Sequence, residues 1–168
     1  MKRSGFTIIE LLLAIGIMAT VVGSASVFFV ILTESRIKQE TIVEIEDLGN
    51  GLVTTIGQAI RNADSVTTPA LGASGSSLVL AYADSAKNPT TFQTISDRIR
   101  ITEGVTAAIE LVPDHVSSTN VTFTNLSSPA TAGTIRFQFT LSSINLSGRQ
   151  PYSYSQTFFG SATVRKRP

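Results

Sequence analysis

The chain has 168 residues, of which 42% are hydrophobic and 15% are charged, and its formal net charge is +1. This length suits one compact domain with an appendage. With no cysteine the sequence excludes disulfide frameworks and thiolate metal sites, and with one histidine, His115, it excludes sites that need two imidazoles. The near-zero net charge excludes a broad footprint for nucleic acid.

The first predicted element is an apolar helix, because no Asp, Glu, Lys or Arg occurs from Leu11 to Leu32. As a helix this run would be about 33 Å long, close to the roughly 30 Å hydrocarbon core of a bilayer. Lys2 and Arg3 precede it, and positive flanks stay in the cytoplasm, so we predict one membrane span with an exported C-terminal part. A secretory signal cleaved near 23–25 and a buried helix of a soluble domain are the alternatives.

Glu10 lies near the start of this apolar region. An ionised carboxylate in hydrocarbon is costly, so Glu10 calls for a partner or a function unless it lies at the membrane interface. The surrounding sequence, Lys2-Arg3-Ser4-Gly5-Phe6-Thr7-Ile8-Ile9-Glu10, resembles the class III signal, or N-terminal methylation motif, of type IV pilins and pseudopilins. In that motif a short basic leader ends in Gly, a Phe follows, and a Glu stands four residues beyond the Phe.

The resemblance implies how the chain is processed and which proteins it interacts with. A prepilin peptidase would cut between Gly5 and Phe6, and the new amine of Phe6 would be methylated. In a filament, Glu10 of one subunit would pair with the Phe6 amine of its neighbour and set the axial register. The other implied partners are sister pilins or pseudopilins and an inner-membrane assembly platform driven by a cytoplasmic ATPase.

The helical pattern continues beyond the apolar run as one apolar stripe, made of Ile37, Ile42, Ile45, Leu48, Leu52, Ile56, Ile60 and Ala63. We therefore predict one helix from about Phe6 to Ala63, near 85 Å long. The spacing of the stripe drifts from a strict heptad, which favours packing on the chain's own sheet over a coiled coil.

After a loop at Pro69, short runs of period two predict strands. The candidate strands are Ser77–Tyr82, Asp97–Thr102, Ala107–Val112, Asn120–Leu126, Thr134–Leu141 and Ser153–Val164. We expect Val121, Phe123, Phe158 and Phe159 in the core. A helix followed by strands predicts an α+β fold with an antiparallel sheet on the helix, which is similar to the pilin fold. The expected divisions are a leader (1–5), a transmembrane helix (6–32), its amphipathic continuation (33–65) and a β-rich head (66–168).

The sequence offers no catalytic constellation. His115 follows Asp114 after a proline and is interpreted as a loop residue, and no serine stands in a Gly-x-Ser-x-Gly elbow. We predict a non-enzymatic protein without a metal site or cofactor. The basic end, Arg165-Lys166-Arg167, is a candidate contact for nucleic acid in a filament, although a solvated end is the simpler interpretation.

These observations predict a structural subunit of a type IV pilus or of a type II secretion-like filament, located in the inner membrane and then in a surface filament. The chain lacks the helix proline, the paired cysteines and the acidic C-terminal loop of bulk subunits, and it carries Ile60-Arg61-Asn62-Ala63 at the helix end. It is therefore most similar to minor pilins and J-type pseudopilins. The alternative is a secreted or membrane-anchored β-rich binding domain that does not polymerise.

Overall fold

A computed structural model of the chain describes residues 7–128, 133–145, 148 and 152–165. Within these ranges helix α1 spans Ile8–Asn62. The strands that follow are β1 (Ser65–Thr68), β2 (Ser74–Gly75), β3 (Leu78–Ala81), β4 (Thr90–Ile95), β5 (Arg98–Glu103), β6 (Ile109–Glu110), β7 (Val116–Asn125), β8 (Thr134–Ser143) and β9 (Ser155–Thr163).

The strands form two antiparallel sheets. The five-stranded sheet has the order β1-β3-β4-β5-β6, and the four-stranded sheet has the order β2-β7-β8-β9. The predicted α+β architecture, with one long N-terminal helix packed on antiparallel sheet, is confirmed. It is built with two sheets where the sequence led us to expect one.

The long helix has a defined cap at each end. Thr7 has an extended backbone, and its side chain accepts a hydrogen bond from the backbone N–H of Glu10. At the other end Ala63 is extended, and its N–H donates to the carbonyls of Ala59 and Ile60. The 55 residues between these caps form one helix about 83 Å long, which confirms the prediction of a single element.

The second half of α1 packs on the head through one face. Ile45, Leu52, Ile56 and Ile60 are each at most 4% exposed and belong to the same core as the inward side chains of both sheets. From Ile45 onward the expected stripe is thus buried except at Leu48, which is half-buried like Ile37 and Ile42 at its start. Burial in a common core explains why this half stays helical despite three glycines.

Two glycines let aromatic rings come close to the backbone. A Cβ placed on Gly49 of α1 would lie 2.1 Å from the Cζ of Phe158, and one placed on Gly160 would lie 2.3 Å from the Cζ of Phe137. The ring of Phe158 also stacks on that of Phe139, with centroids 5.6 Å apart. The helix therefore approaches β9 closely where it carries no side chain.

Some strand predictions were wrong. β1 and β4 were not predicted, because their sequences, SVTT and TTFQTI, are rich in threonine and show little alternation between apolar and polar residues. The strand expected over Ala107–Val112 is only the two residues of β6. Phe159, expected in the core, is 66% exposed, because Phe158 occupies the inward position and successive side chains point to opposite faces.

Candidate functional site

The first half of α1 is apolar and is not covered by the head. No residue in its most hydrophobic stretch is buried by the rest of the described chain. The segment is long and apolar enough to cross a membrane. The exposed large side chains are Ile8, Ile9, Leu11, Leu12, Leu13, Ile15, Ile17, Met18, Val21, Val22, Val27, Phe28, Phe29, Val30, Ile31 and Leu32.

Hydroxyl side chains in this segment are satisfied by the helix itself. Thr20 donates to the carbonyl of Ile17 at 2.7 Å, and Ser26 donates to that of Val22 at 2.9 Å. Ser24 bonds in the same way to the preceding turn. Such bonds remove the cost of an unpaired hydroxyl in an apolar medium. Beyond Glu10 the segment therefore presents only apolar groups and hydrogen-bonded hydroxyls to its surroundings.

The start of the helix brings Thr7 and Glu10 together. The Oγ1 of Thr7 accepts from the backbone N–H of Glu10 at 3.4 Å, and the carbonyl of Thr7 accepts from the same N–H at 3.1 Å. The carboxylate of Glu10 lies in the first turn, where the helix dipole favours a negative charge. Our sequence reasoning missed the cap at Thr7, although the Thr-x-x-Glu spacing is typical of a capping box.

The carboxylate of Glu10 is available to another group. The residue is exposed. Within the described part of the chain it makes no ion pair. The other predicted residues of this region, Lys2, Arg3, Gly5 and Phe6, lie outside the described residues. Of the whole predicted constellation, the structure therefore places Glu10 alone, at the tip of an uncovered apolar helix.

His115 and Asp114, the pair considered above for a catalytic or metal site, each contact another side chain of the fold. Nε2 of His115 lies 2.6 Å from Oε1 of Glu44 on the helix, a contact between residues far apart in sequence. Asp114 accepts a hydrogen bond from Arg98. In the part of the chain that the structure describes, no three His, Cys, Asp or Glu side chains are grouped to hold a metal ion.

Arg98 also belongs to a charge cluster at the edge of the five-stranded sheet. Glu110 accepts from Arg98 at 2.7 Å and from Arg100 at 2.6 Å. These hydrogen bonds lower the pKa of Glu110, and the bond from Arg98 has the larger effect. The hydrogen bonds that Arg98 donates to Glu110 and Asp114 raise the pKa of Arg98. The cluster ties β5 to β6 and to the following loop, which is a structural role.

The basic C-terminal end is only partly described. Arg165 is exposed, and its backbone N–H donates to the carbonyl of Arg61 at 3.4 Å, which holds Arg165 beside the end of α1. Lys166 and Arg167 lie outside the described residues. The candidate contact with nucleic acid that these residues raised stays a prediction.

The comparisons with known proteins concern the N-terminal segment. Residues 1–26 match the family model of the prokaryotic N-terminal methylation motif. No curated protein and no solved structure matches the chain. The motif, together with the long apolar helix, fits a type IV pilin-like class III signal.

The motif and the apolar helix behind it support a type IV pilin-like precursor that is anchored in a membrane. The prepilin motif implies processing by a prepilin peptidase and assembly with other pilins. It points to a structural, non-enzymatic subunit.

Proposed function

We propose that the chain is a minor pilin or pseudopilin. It is cleaved between Gly5 and Phe6, methylated on the Phe6 amine, and assembled through its apolar helix into a type IV pilus or a type II secretion-like filament. The observation that carries the proposal is the uncovered apolar segment, Ile8–Leu32, directly behind a matched methylation motif. Such a surface is stable in a bilayer and in a bundle of similar helices, but not in water.

Before assembly the precursor spans the inner membrane once. Lys2 and Arg3 hold its N-terminus on the cytoplasmic side, and the head is exported. Cleavage removes these two cations, so the helix loses its cytoplasmic anchor and is easier to extract from the bilayer. Extraction is the work of the assembly platform and its ATPase.

Glu10 sets the register of the bundle in this proposal. After cleavage the Phe6 amine is cationic, and methylation keeps that charge. A carboxylate without a partner in a dry helix bundle is strongly destabilising, so Glu10 favours the axial position at which a neighbour's amine meets it. The exposure of Glu10 in the single chain supports this role, since its carboxylate forms no ion pair with any residue that the structure describes.

The test is the variant Glu10→Gln, with Glu40→Gln as a matched control on an exposed part of the same helix. We expect both variants to reach the membrane fraction at the wild-type level. Loss of the charge pair should lower the amount of Glu10→Gln in sheared filaments by about tenfold or more, whereas Glu40→Gln assembles normally. Normal assembly of Glu10→Gln would refute the role in register.

A second variant separates charge pairing from helix capping. Thr7→Ala removes the cap acceptor and leaves the carboxylate of Glu10 in place, at a cost of about 1 kcal/mol of helix stability. We expect its assembly to fall much less than that of Glu10→Gln. Equal losses would show that fraying of the helix start, and not the missing charge, limits assembly.

The proposal of a minor subunit, as opposed to the bulk subunit, has its own measurement. Quantitative mass spectrometry of sheared filaments should find this chain at a small fraction of the most abundant pilin. An amount equal to that of the most abundant subunit would make it a major pilin. Absence from filaments, with the chain retained in the membrane or released as a soluble head, would favour the alternative of a binding domain that does not polymerise.

A further inference from the structure

The outward face of the four-stranded sheet is a polar surface that points away from the core. In β9 the inward side chains, such as Phe158 and Ala162, are buried, so the alternate residues face solvent. Across β8 and β9 most outward hydroxyls are paired with each other. These pairs are Ser142–Ser155 at 2.8 Å, Thr140–Thr157 at 2.8 Å and Thr134–Thr163 at 3.1 Å. We call this arrangement the hydroxyl ladder.

The hydroxyl ladder is interrupted at its centre by two rows of different side chains. The strand register aligns Thr122 with Gln138 and Gln138 with Phe159 in one row, and Thr124 with Arg136 and Arg136 with Ser161 in the next. We call these six residues the ladder break. It lies between the closed pair Thr134–Thr163 at one end and the closed pair Thr140–Thr157 at the other.

Two polar side chains at the centre of the ladder break, those of Arg136 and Gln138, are open. Among the described residues, no hydrogen bond or ion pair engages the side chain of Arg136 or Gln138. Arg136 is the only charged residue in the sequences of the four strands. Beside them the ring of Phe159 is 66% exposed. A lone cation, a free amide and an exposed ring thus share one small surface.

The surface beside this cation is concave. A depression of about 240 Å³ is lined by Ser74, Thr122, Thr124, Arg136, Phe137 and Gln138. The hydroxyls of Ser74 and Thr124, 2.9 Å apart, close one side of it. From the spacing of strands and residues in a sheet, the ladder break measures about 10 Å by 7 Å between the outermost positions. One or two sugar rings fit on such an area.

We propose that the ladder break is a binding site for an acidic saccharide. The guanidinium of Arg136 presents paired donors to the carboxylate of the sugar. The amide of Gln138 and the hydroxyls of Thr122 and Ser161 donate to and accept from ring hydroxyls. The ring of Phe159 covers the apolar C–H face of the sugar and excludes water from one side of the bound ring.

The same features argue against a macromolecular partner. A protein interface needs roughly 800 Å² on each partner and an apolar centre, whereas the outward neighbours of Phe159 are the polar residues Gln138, Thr157 and Ser161. Nucleic acid needs several cations along its backbone, and the four strands carry only Arg136. The site goes beyond the proposed function, because its face takes no part in helix bundling.

The test uses the full-length chain in detergent micelles and two probes, trigalacturonate and its neutral counterpart galactotriose, titrated by calorimetry. We expect trigalacturonate to bind about tenfold or more tightly than galactotriose. Arg136→Gln should weaken the binding of trigalacturonate by about tenfold or more. Phe159→Thr, which suits a strand, should weaken it by roughly threefold to tenfold.

Lys87→Gln is the matched control, because it removes an exposed cation from another part of the head. It should bind trigalacturonate like the wild type, and circular dichroism should show that all three variants remain folded. The proposal is overturned if the wild type does not bind trigalacturonate at about 10 mM, or if Arg136→Gln binds it as the wild type does. It is also overturned if triglutamate binds equally well and Phe159→Thr has no effect, since the surface would then attract any anion.

Discussion

The two halves of α1 both carry large apolar side chains but hold them in opposite environments. In the first half the large apolar side chains between Ile8 and Leu32 are 48–79% exposed, whereas Ile56 and Ile60 in the second half are fully buried. One continuous helix therefore joins a surface that the head covers to a surface that it leaves bare. Fold stability comes from the second half, whereas the first half is the surface that we propose contacts lipid and then other helices.

The largest expected effect contrasts an isoleucine from each half. Ile56→Ala empties a fully buried position and should lower the free energy of unfolding of the head by about 2–5 kcal/mol. Ile17→Ala, at a position 57% exposed, should change it by less than about 0.5 kcal/mol. Chemical denaturation of the full chain in micelles, followed by near-ultraviolet circular dichroism, measures both. Similar losses for the two variants would contradict the division of the helix.

The next effect concerns two glycines of the second half. Gly49→Ala places a methyl group 2.1 Å from the ring of Phe158, so we expect a loss of about 1–3 kcal/mol. Gly51→Ala meets no atom within 4 Å and should stabilise the helix by up to about 1 kcal/mol. The same denaturation experiment compares them. A neutral Gly49→Ala would show that the helix does not approach β9 as closely as described.

A smaller effect concerns Tyr82, whose hydroxyl donates to the carbonyl of Ala59 at 2.6 Å. Burial, followed by the carboxylates of Glu103 and Asp64, raises the pKa of Tyr82 from 10.0 to about 12. Because the folded pKa is the higher one, its contribution to stability is complete below pH 10 and disappears as the pH rises through about 12. Tyr82→Phe should lose about 1 kcal/mol at neutral pH.

The pH profile gives this prediction its control. In Tyr82→Phe the decline of stability between about pH 10 and pH 12 should be shallower than in the wild type, as measured by thermal melting across that range. Tyr152→Phe, which alters a more exposed tyrosine, should keep the wild-type profile. If the stability of Tyr82→Phe declines as steeply with pH as that of the wild type, ionisation of the Tyr82 phenol is not the cause of the decline in stability at alkaline pH.

The smallest effect belongs to Glu110. Its pKa is lowered by the hydrogen bonds from Arg98 and Arg100, so its contribution to stability is present above the unfolded pKa and is lost as the pH falls through the lowered value. Glu110→Gln should lower Tm at neutral pH by less than Tyr82→Phe does. The difference from the wild type should vanish in acid and shrink in high salt. If Glu110→Gln still melts at a lower Tm than the wild type in acid, the difference does not come from the ionised carboxylate of Glu110.

Long periodic features of the fold could be predicted from the sequence, because each residue of an apolar run or stripe repeats the same signal. The adjacent pair Phe158–Phe159 gave no such signal, since two aromatic residues in a row do not tell which one faces the core. The contact between His115 and Glu44 could not be predicted either, because it depends on how the loop before β7 meets the helix.

The candidate sites also differ in how far the sequence could predict them. The motif around Glu10 is local in sequence, so its residues could be named without a structure, and Thr7 could have been added from its spacing to Glu10. The ladder break depends on the register of four strands, including the pairing of Arg136 with Ser161. No spacing along the chain reveals that alignment.

The most direct test of the central claim is mass spectrometry of the chain's N-terminal peptide, taken from sheared native filaments. A chain that has left the bilayer to bundle with kindred helices should begin at an N-methylated Phe6. Recovery of peptides that still contain Met1 to Gly5, together with absence of the chain from the filament fraction, would contradict the account.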